Sequence, residues 1–136
     1  MIHIKENVSI QEYNMYSYVY NLGIIPVPKI IEYDSNKKIL ITEKIDNICI
    51  ADYYGAEPEN IEENIFSKCQ AIIKKLYDNN ILYCDITAYN FIEYNEIIWL
   101  IDFEHCCLKI PGEYNENEDF VTKFSNGLSK WNPNFL

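Results

Sequence analysis

Apolar residues recur along this chain in two rhythms. Between residues 59 and 77, Ile61, Ile65, Phe66, Cys69, Ile72, Ile73, Leu76 and Tyr77 fall at three- and four-residue steps, with Lys68, Lys74 and Lys75 on other faces. That spacing makes one continuous apolar stripe and predicts a long helix from about Glu59 to Tyr77, ended by Asp78-Asn79-Asn80. A first helix is predicted from Ser9 to Leu22. Ser9-Ile10-Gln11-Glu12 has the capping-box form, in which Ser9 caps and Glu12 reaches back. Gly23 can end that helix, and Pro26 and Pro28 forbid its continuation. Residues 1–8 read as a short extended start. Two stretches have the shorter rhythm of strands. Lys29 to Tyr33 and Ile39 to Ile45 flank the turn residues Asp34-Ser35-Asn36, and Phe91 to Tyr94 and Ile97 to Ile101 flank Asn95-Glu96. Each pair predicts a β-hairpin. Ile81-Leu82-Tyr83 is a short apolar run, Asp52-Tyr53-Tyr54-Gly55 suits one helical turn, and a helix is predicted near Asp119 to Leu128 after the Pro111-Gly112 turn. The tail ends with Trp131, Pro133 and Phe135. Helices and hairpins in this mixture give an α+β class.

At 136 residues, with 49% hydrophobic and 15% aromatic content, the chain reads as one domain with a real core. Its formal charge is −10, and its eleven basic residues are all lysines. Such a balance excludes phosphate-backbone binding to nucleic acid and docking on an anionic membrane surface. No apolar run is long enough to span a membrane. Cysteines stand at 49, 69, 84, 106 and 107, without a C-x-x-C pair, so neither a zinc site nor a disulfide framework is expected. Three consecutive residues, His105-Cys106-Cys107, cannot easily aim at one ion. Reduced thiols fit a cytoplasmic location. Abundant Ile, Asn and Lys with no Arg is usage typical of an AT-rich genome, such as that of some large DNA viruses, for which the location becomes the host cytoplasm.

The informative segment is Tyr83-Cys84-Asp85-Ile86-Thr87-Ala88-Tyr89-Asn90, then a hairpin, then Ile101-Asp102-Phe103-Glu104. It resembles the catalytic loop and metal-binding segment of protein-kinase-like enzymes, D-x-x-x-x-N followed by D-F-G. The likeness is to small atypical kinases, the RIO kinases and the kinase of the KEOPS complex, whose D-L-S/T matches Asp85-Ile86-Thr87. Ile101-Asp102-Phe103-Glu104 is also similar to choline and aminoglycoside kinases. The resemblance implies a truncated kinase-like fold: a remnant N-lobe and hinge over residues 1–45, made of a helix and a hairpin, and a minimal helical C-lobe over residues 46–136. It implies ATP and Mg²⁺ as cofactors. Catalytic roles fall to Asp85, Asn90 and Asp102: Asp85 orients or deprotonates the attacking hydroxyl, while Asn90 and Asp102 hold the metal. By the same likeness Glu43, Lys44 and Ile45 meet the adenine, Ile92 floors its pocket, and Glu12 stands where a helix glutamate pairs with a strand lysine.

The pattern also breaks. Four glycines, at 23, 55, 112 and 127, form no G-x-G-x-x-G, and eleven residues before Glu12 leave no room for the glycine-rich loop and lysine strand. Lys5 lies too near Glu12 in sequence to be read as that lysine, and Glu12 on its own reading is a capping-box residue. Tyr83, Cys84 and Glu104 replace the usual His, Arg or Gly, and Gly of the motif. Three functions are therefore expected to compete: an ATP-dependent phosphotransferase of the atypical Ser/Thr kinase type with low activity; an inactive pseudokinase that binds a partner kinase or its protein substrate; and a small-molecule kinase of the choline or aminoglycoside type. The exposed edge of hairpin 29–45 is a place where a partner, or a second copy in a homodimer, would supply the missing strands.

Overall fold

The computed structural model describes residues 1–131, so Pro133 and Phe135 of the expected aromatic tail lie outside the described residues. The first rhythm of the chain builds a small sheet with a helix beside it. Strand β1 (Ile2–Lys5) leads into helix α1 (Ile10–Leu22), and β2 (Ile30–Asp34) and β3 (Ile39–Glu43) form the first hairpin. The strands are antiparallel in the order β1-β3-β2, with His3 opposite Thr42 and Lys5 opposite Leu40. Asp34 accepts the backbone N–H groups of Asn36 and Lys37 at 2.9 and 3.0 Å, which fixes the hairpin turn as the sequence suggests. Ser9 caps α1 by accepting the Glu12 N–H at 3.1 Å, and Gly23 ends it at φ +66. Tyr13 stacks on Tyr33 at 4.2 Å between centroids and the Tyr33 hydroxyl donates to the Val8 carbonyl at 2.7 Å, so the helix is tied to the sheet.

The expected helix and hairpin are both present, and residues 2–5, read as a short extended start, add a third strand to the hairpin. Residues 2–5 alternate Ile, His, Ile, Lys, and pairing with β3 satisfies their backbone along the inner edge.

The second half is built around helix α3 (Glu63–Asp78), preceded by α2 (Ile50–Tyr54). The long helix begins four residues later than its periodicity suggests. Pro58 opens a separate 3-10 turn over Pro58–Asn60, and Ile61 is extended, so the apolar stripe starts before the helix does. The buried face of α3 carries Ile65, Phe66, Cys69, Ile73 and Leu76. It packs against β4 (Ile81–Tyr83), whose three residues are all buried, and against α4 (Glu118–Ser125) through Val121 and Phe124. Trp131 closes this core, 4.5 Å from Phe66 and 5.9 Å from both Phe91 and Phe124, centroid to centroid. The second hairpin forms as expected, β5 (Phe91–Tyr94) with β6 (Ile97–Leu100), around Asn95 and Glu96 at φ +52 and +64. Two left-handed residues make the primed turn that suits a two-residue loop. One strand escaped the sequence reading: β7 (Cys106–Leu108) pairs antiparallel with β4, Tyr83 opposite Cys106. Its Cys-Cys-Leu run is too short to carry a period. Among the described residues no helix is long and apolar enough to cross a membrane.

Candidate functional site

A cavity of about 420 Å³ lies between the sheet and the second hairpin. Its roof is the inner face of β1 and β3, with His3, Lys5, Leu40 and Thr42. Its back wall is Glu43, Lys44 and Ile45, and its floor includes Asn90, Ile92, Ile101 and Asp102. Glu12 reaches in from α1. Seven of the eight residues singled out from the sequence therefore share one cavity. The eighth, Asp85, does not line it and is joined to it through Asn90, whose side-chain amide donates to the Asp85 backbone carbonyl.

The floor is held by short-range backbone geometry. Asn90 is buried, and its amide nitrogen donates to the Asp85 carbonyl at 2.8 Å, which folds residues 85–90 into a closed loop. The Ile101 N–H donates to the Asn90 carbonyl at 2.9 Å, so the end of β6 is fastened directly to that loop. Asp102 then turns at φ +65, a conformation that costs a non-glycine residue about 1–3 kcal/mol unless its surroundings enforce it. They do. Fully buried Tyr83 shares its hydroxyl between the carbonyls of Ile101 at 2.6 Å and Asp102 at 2.7 Å, and the Glu104 N–H donates to Asp102 Oδ1 at 3.2 Å. Burial pushes the Tyr83 hydroxyl far above its ordinary pKa, and the charges of Asp102 and Asp85 add to that, so it stays a neutral donor.

The roof supplies what the sequence reading denied. Lys5 Nζ donates to Glu12 Oε2 at 2.6 Å and to Asp102 Oδ1 at 3.3 Å. The six residues between Lys5 and Glu12 are enough, because the strand ends at Lys5, Asn7 turns at φ +60, and Ser9 caps the helix, which puts Glu12 in its first turn facing the strand. Glu12 is thus more than a capping residue: its backbone N–H goes to Ser9 and its carboxylate to Lys5. Burial alone would lower the Lys5 pKa. The hydrogen bond to Glu12 and the charges of Asp102 and Glu12 outweigh it and hold the ammonium above its usual 10.5. The signal that could have found Lys5 was present, since the period-two alternation puts His3 and Lys5 on one strand face.

For Asp85 the largest influence is burial, which raises its carboxyl pKa; Asn90 pulls it down, Asp102 pushes it up, and His105 lowers it. The result is a carboxylate more basic than usual, suited to receive a proton. Among the described residues no cluster of three or more His, Cys, Asp or Glu side chains forms a metal centre. The donor set nevertheless suits Mg²⁺, which takes one or two protein oxygens and completes its shell with phosphates and water. The side-chain oxygens of Asn90 and Asp102 are of that type and border the same cavity.

The cleft closes the comparison with known proteins. No curated protein matches the chain. The family model for the RIO domain matches residues 3–109, a span that includes Lys5, Glu12, the cavity's back wall, the 85–90 loop and Asp102. With a kinase-like α+β fold of truncated size and a match over most of its length, the chain belongs to the RIO-domain family of atypical protein kinases.

Proposed function

We propose that this chain is an ATP-dependent phosphotransferase of the atypical Ser/Thr kinase type. The observation that carries the reading is Lys5 Nζ standing between Glu12 and Asp102 in the wall of a cavity that Asn90 also borders. RIO-domain proteins generally bind ATP with Mg²⁺. In this chain the base would lie against Glu43, Lys44 and Ile45 and above Ile92, with the phosphates toward Lys5. Asn90 and Asp102 would hold the magnesium ion, which supplies charge neutralisation on the transferred phosphoryl group. Lys5, fixed by Glu12, would place a cation beside the phosphates without reorganising at the moment of transfer. Asp85 would accept the hydroxyl proton. Tyr83 would keep the carbonyls before and at Asp102 in place, so that the carboxylate faces the cleft.

A second reading, a pseudokinase that binds a partner kinase or its protein substrate, draws on one feature. The sequence has no glycine-rich loop to cover the phosphates, and a phosphate exposed to water on one side transfers slowly. One assay separates the two. Incubation with Mg²⁺ and radiolabelled ATP, using wild type, Asp102→Asn and Asp85→Ala, should give incorporation or hydrolysis by wild type alone. Equal turnover by all three sinks the kinase reading, and none by wild type, with binding retained, favours the pseudokinase.

A further inference from the structure

We propose that two copies of this chain pair edge to edge through β1, antiparallel about His3, so that their three-stranded sheets join into one sheet of six strands. The pairing goes beyond the nucleotide reading and does not depend on it. Strand β1 takes up one side of the first hairpin, and the order β1-β3-β2 leaves the sheet with two outer edges, β1 and β2. Residues of an antiparallel strand alternate between bonding their neighbour and facing away from it. The Lys44 N–H donates to the Met1 carbonyl at 3.2 Å, and Ile2 is opposite Glu43, so Met1, His3 and Lys5 turn their backbone groups to β3. The N–H and C=O groups of Ile2 and Ile4 therefore point to the open edge, where no described turn or loop bonds them.

The two edges are not alike. β2 has a register shift between Ile30 and Glu32 and carries Glu32 and Asp34, a bulge and charges that discourage a further strand. β1 pairs without a shift, and its one charge, Lys5, is held by Glu12 and Asp102 on the cavity side. Ile2 and Ile4 are each about half exposed on the outer face, with Ile4 opposite Ile41. The strand is its own complement. Antiparallel pairing about His3 sets Ile2 of each copy opposite Ile4 of the other, so the edge-facing N–H and C=O groups of both residues are exchanged and the isoleucines meet in cross-strand pairs. Such a two-fold contact closes at two copies. Charge permits it: residues 1–45 contain five Lys and five Asp or Glu, so the whole −10 lies in residues 46–136, and the joining halves carry no net charge to repel each other. The cavity roof ends at β1; in the pair the partner's His3 falls beside His3 on the cavity face, and the roof continues into the second copy.

The test is sedimentation equilibrium of the full chain over a concentration series, without nucleotide. A contact of one strand from each side is small, so a dissociation constant on the order of micromolar is expected. The mass of wild type should rise with concentration from 16.1 kDa to twice that. Ile4→Pro removes an edge-facing N–H and leaves the β1–β3 ladder intact, and Ile4→Lys puts a charge on the edge; both should associate roughly tenfold or more weakly. Ile31→Lys, an exposed change on the opposite edge, should associate as wild type does. Amide exchange reads the register: with rising concentration the N–H groups of Ile2 and Ile4 should slow, and those of His3 and Lys5 should not change. Should Ile4→Pro fail to fold, Ile4→Lys and the exchange pattern decide. Wild type that stays at 16.1 kDa throughout overturns the proposal. So does association that is unchanged in Ile4→Lys, lost in Ile31→Lys, or unaccompanied by slower exchange at Ile2 and Ile4.

Discussion

The two walls of the cleft are built differently. The floor is a set of buried side chains and closed backbone: β4 has no exposed residue, Ile86, Ala88 and Phe91 are fully buried, and the loop 85–90 is latched to β6 by the Ile101 N–H. The roof is a three-stranded sheet whose strand β1 has Ile2 and Ile4 each about half exposed. The Asp102 carboxylate, at a left-handed backbone position, needs the floor's rigidity, because the surroundings must hold the strained turn. A lysine does not. Its long side chain reaches its partners from a thin strand, and the Glu12 and Asp102 oxygens define where it ends.

This contrast can be broken or sharpened by substitution, beginning with the largest effect. Phe91→Ala should destabilise the fold by about 3–5 kcal/mol, since Phe91 is fully buried against Trp131, while Ile4→Ala on the roof should change stability by no more than about 0.5 kcal/mol. Urea midpoints compare the two, and equal losses would erase the distinction between the walls. Next, Lys5→Met should lower turnover about 10²- to 10³-fold, as loss of one preorganised donor does, with only a small change in melting temperature. A Lys5→Met protein with wild-type turnover would return Lys5 to a surface residue.

Tyr83→Phe comes third. It keeps the ring between Phe103 and the core but removes the donor from two carbonyls. A cost of about 1–3 kcal/mol is expected, with a loss of magnesium-dependent binding that exceeds the loss in a core variant of equal stability. Parallel losses would make Tyr83 a packing residue only. The smallest effect concerns pH. Asp85 must be ionised to accept a proton, and its carboxyl is held above the usual 3.8 mainly by burial. Activity should therefore fall as pH drops through a value above 3.8. Glu104 contributes to raising it, so Glu104→Gln should move that acid limb downward while leaving the plateau unchanged. An upward move would contradict the assignment.

How much of this was legible beforehand follows from how each part is encoded. Long helix α3, both hairpins and the Ser9 cap carry local signals, namely stripe, alternation, turn residues and a capping serine, and they formed where those signals lie, except that α3 starts four residues into its stripe. Asp85, Asn90 and Asp102 were singled out by resemblance to the kinase-like D-x-x-x-x-N and D-F-G segments, which are short enough to read because only a loop and one hairpin separate them. Lys5 was misjudged for the opposite reason: nearness in sequence looked like a barrier, whereas a sharp turn at Asn7 makes a six-residue gap sufficient. Strand β7 was missed since three residues give no period, and its place is set by pairing with β4, a contact across more than twenty residues. His3 was not singled out from the sequence. Its place in the cavity depends on the pairing of β1 with β3, which the alternation of four residues does not announce.

The account stands on Lys5, Glu12, Asn90 and Asp102 acting as one site for a magnesium-bound nucleotide. Calorimetric titration of ATP into wild type and Asp102→Asn, with and without Mg²⁺, tests that directly. The account predicts a binding isotherm for wild type that weakens at least tenfold when Mg²⁺ is omitted and is equally weak for Asp102→Asn in either condition. Identical isotherms for the two proteins, or affinity indifferent to Mg²⁺, would contradict it.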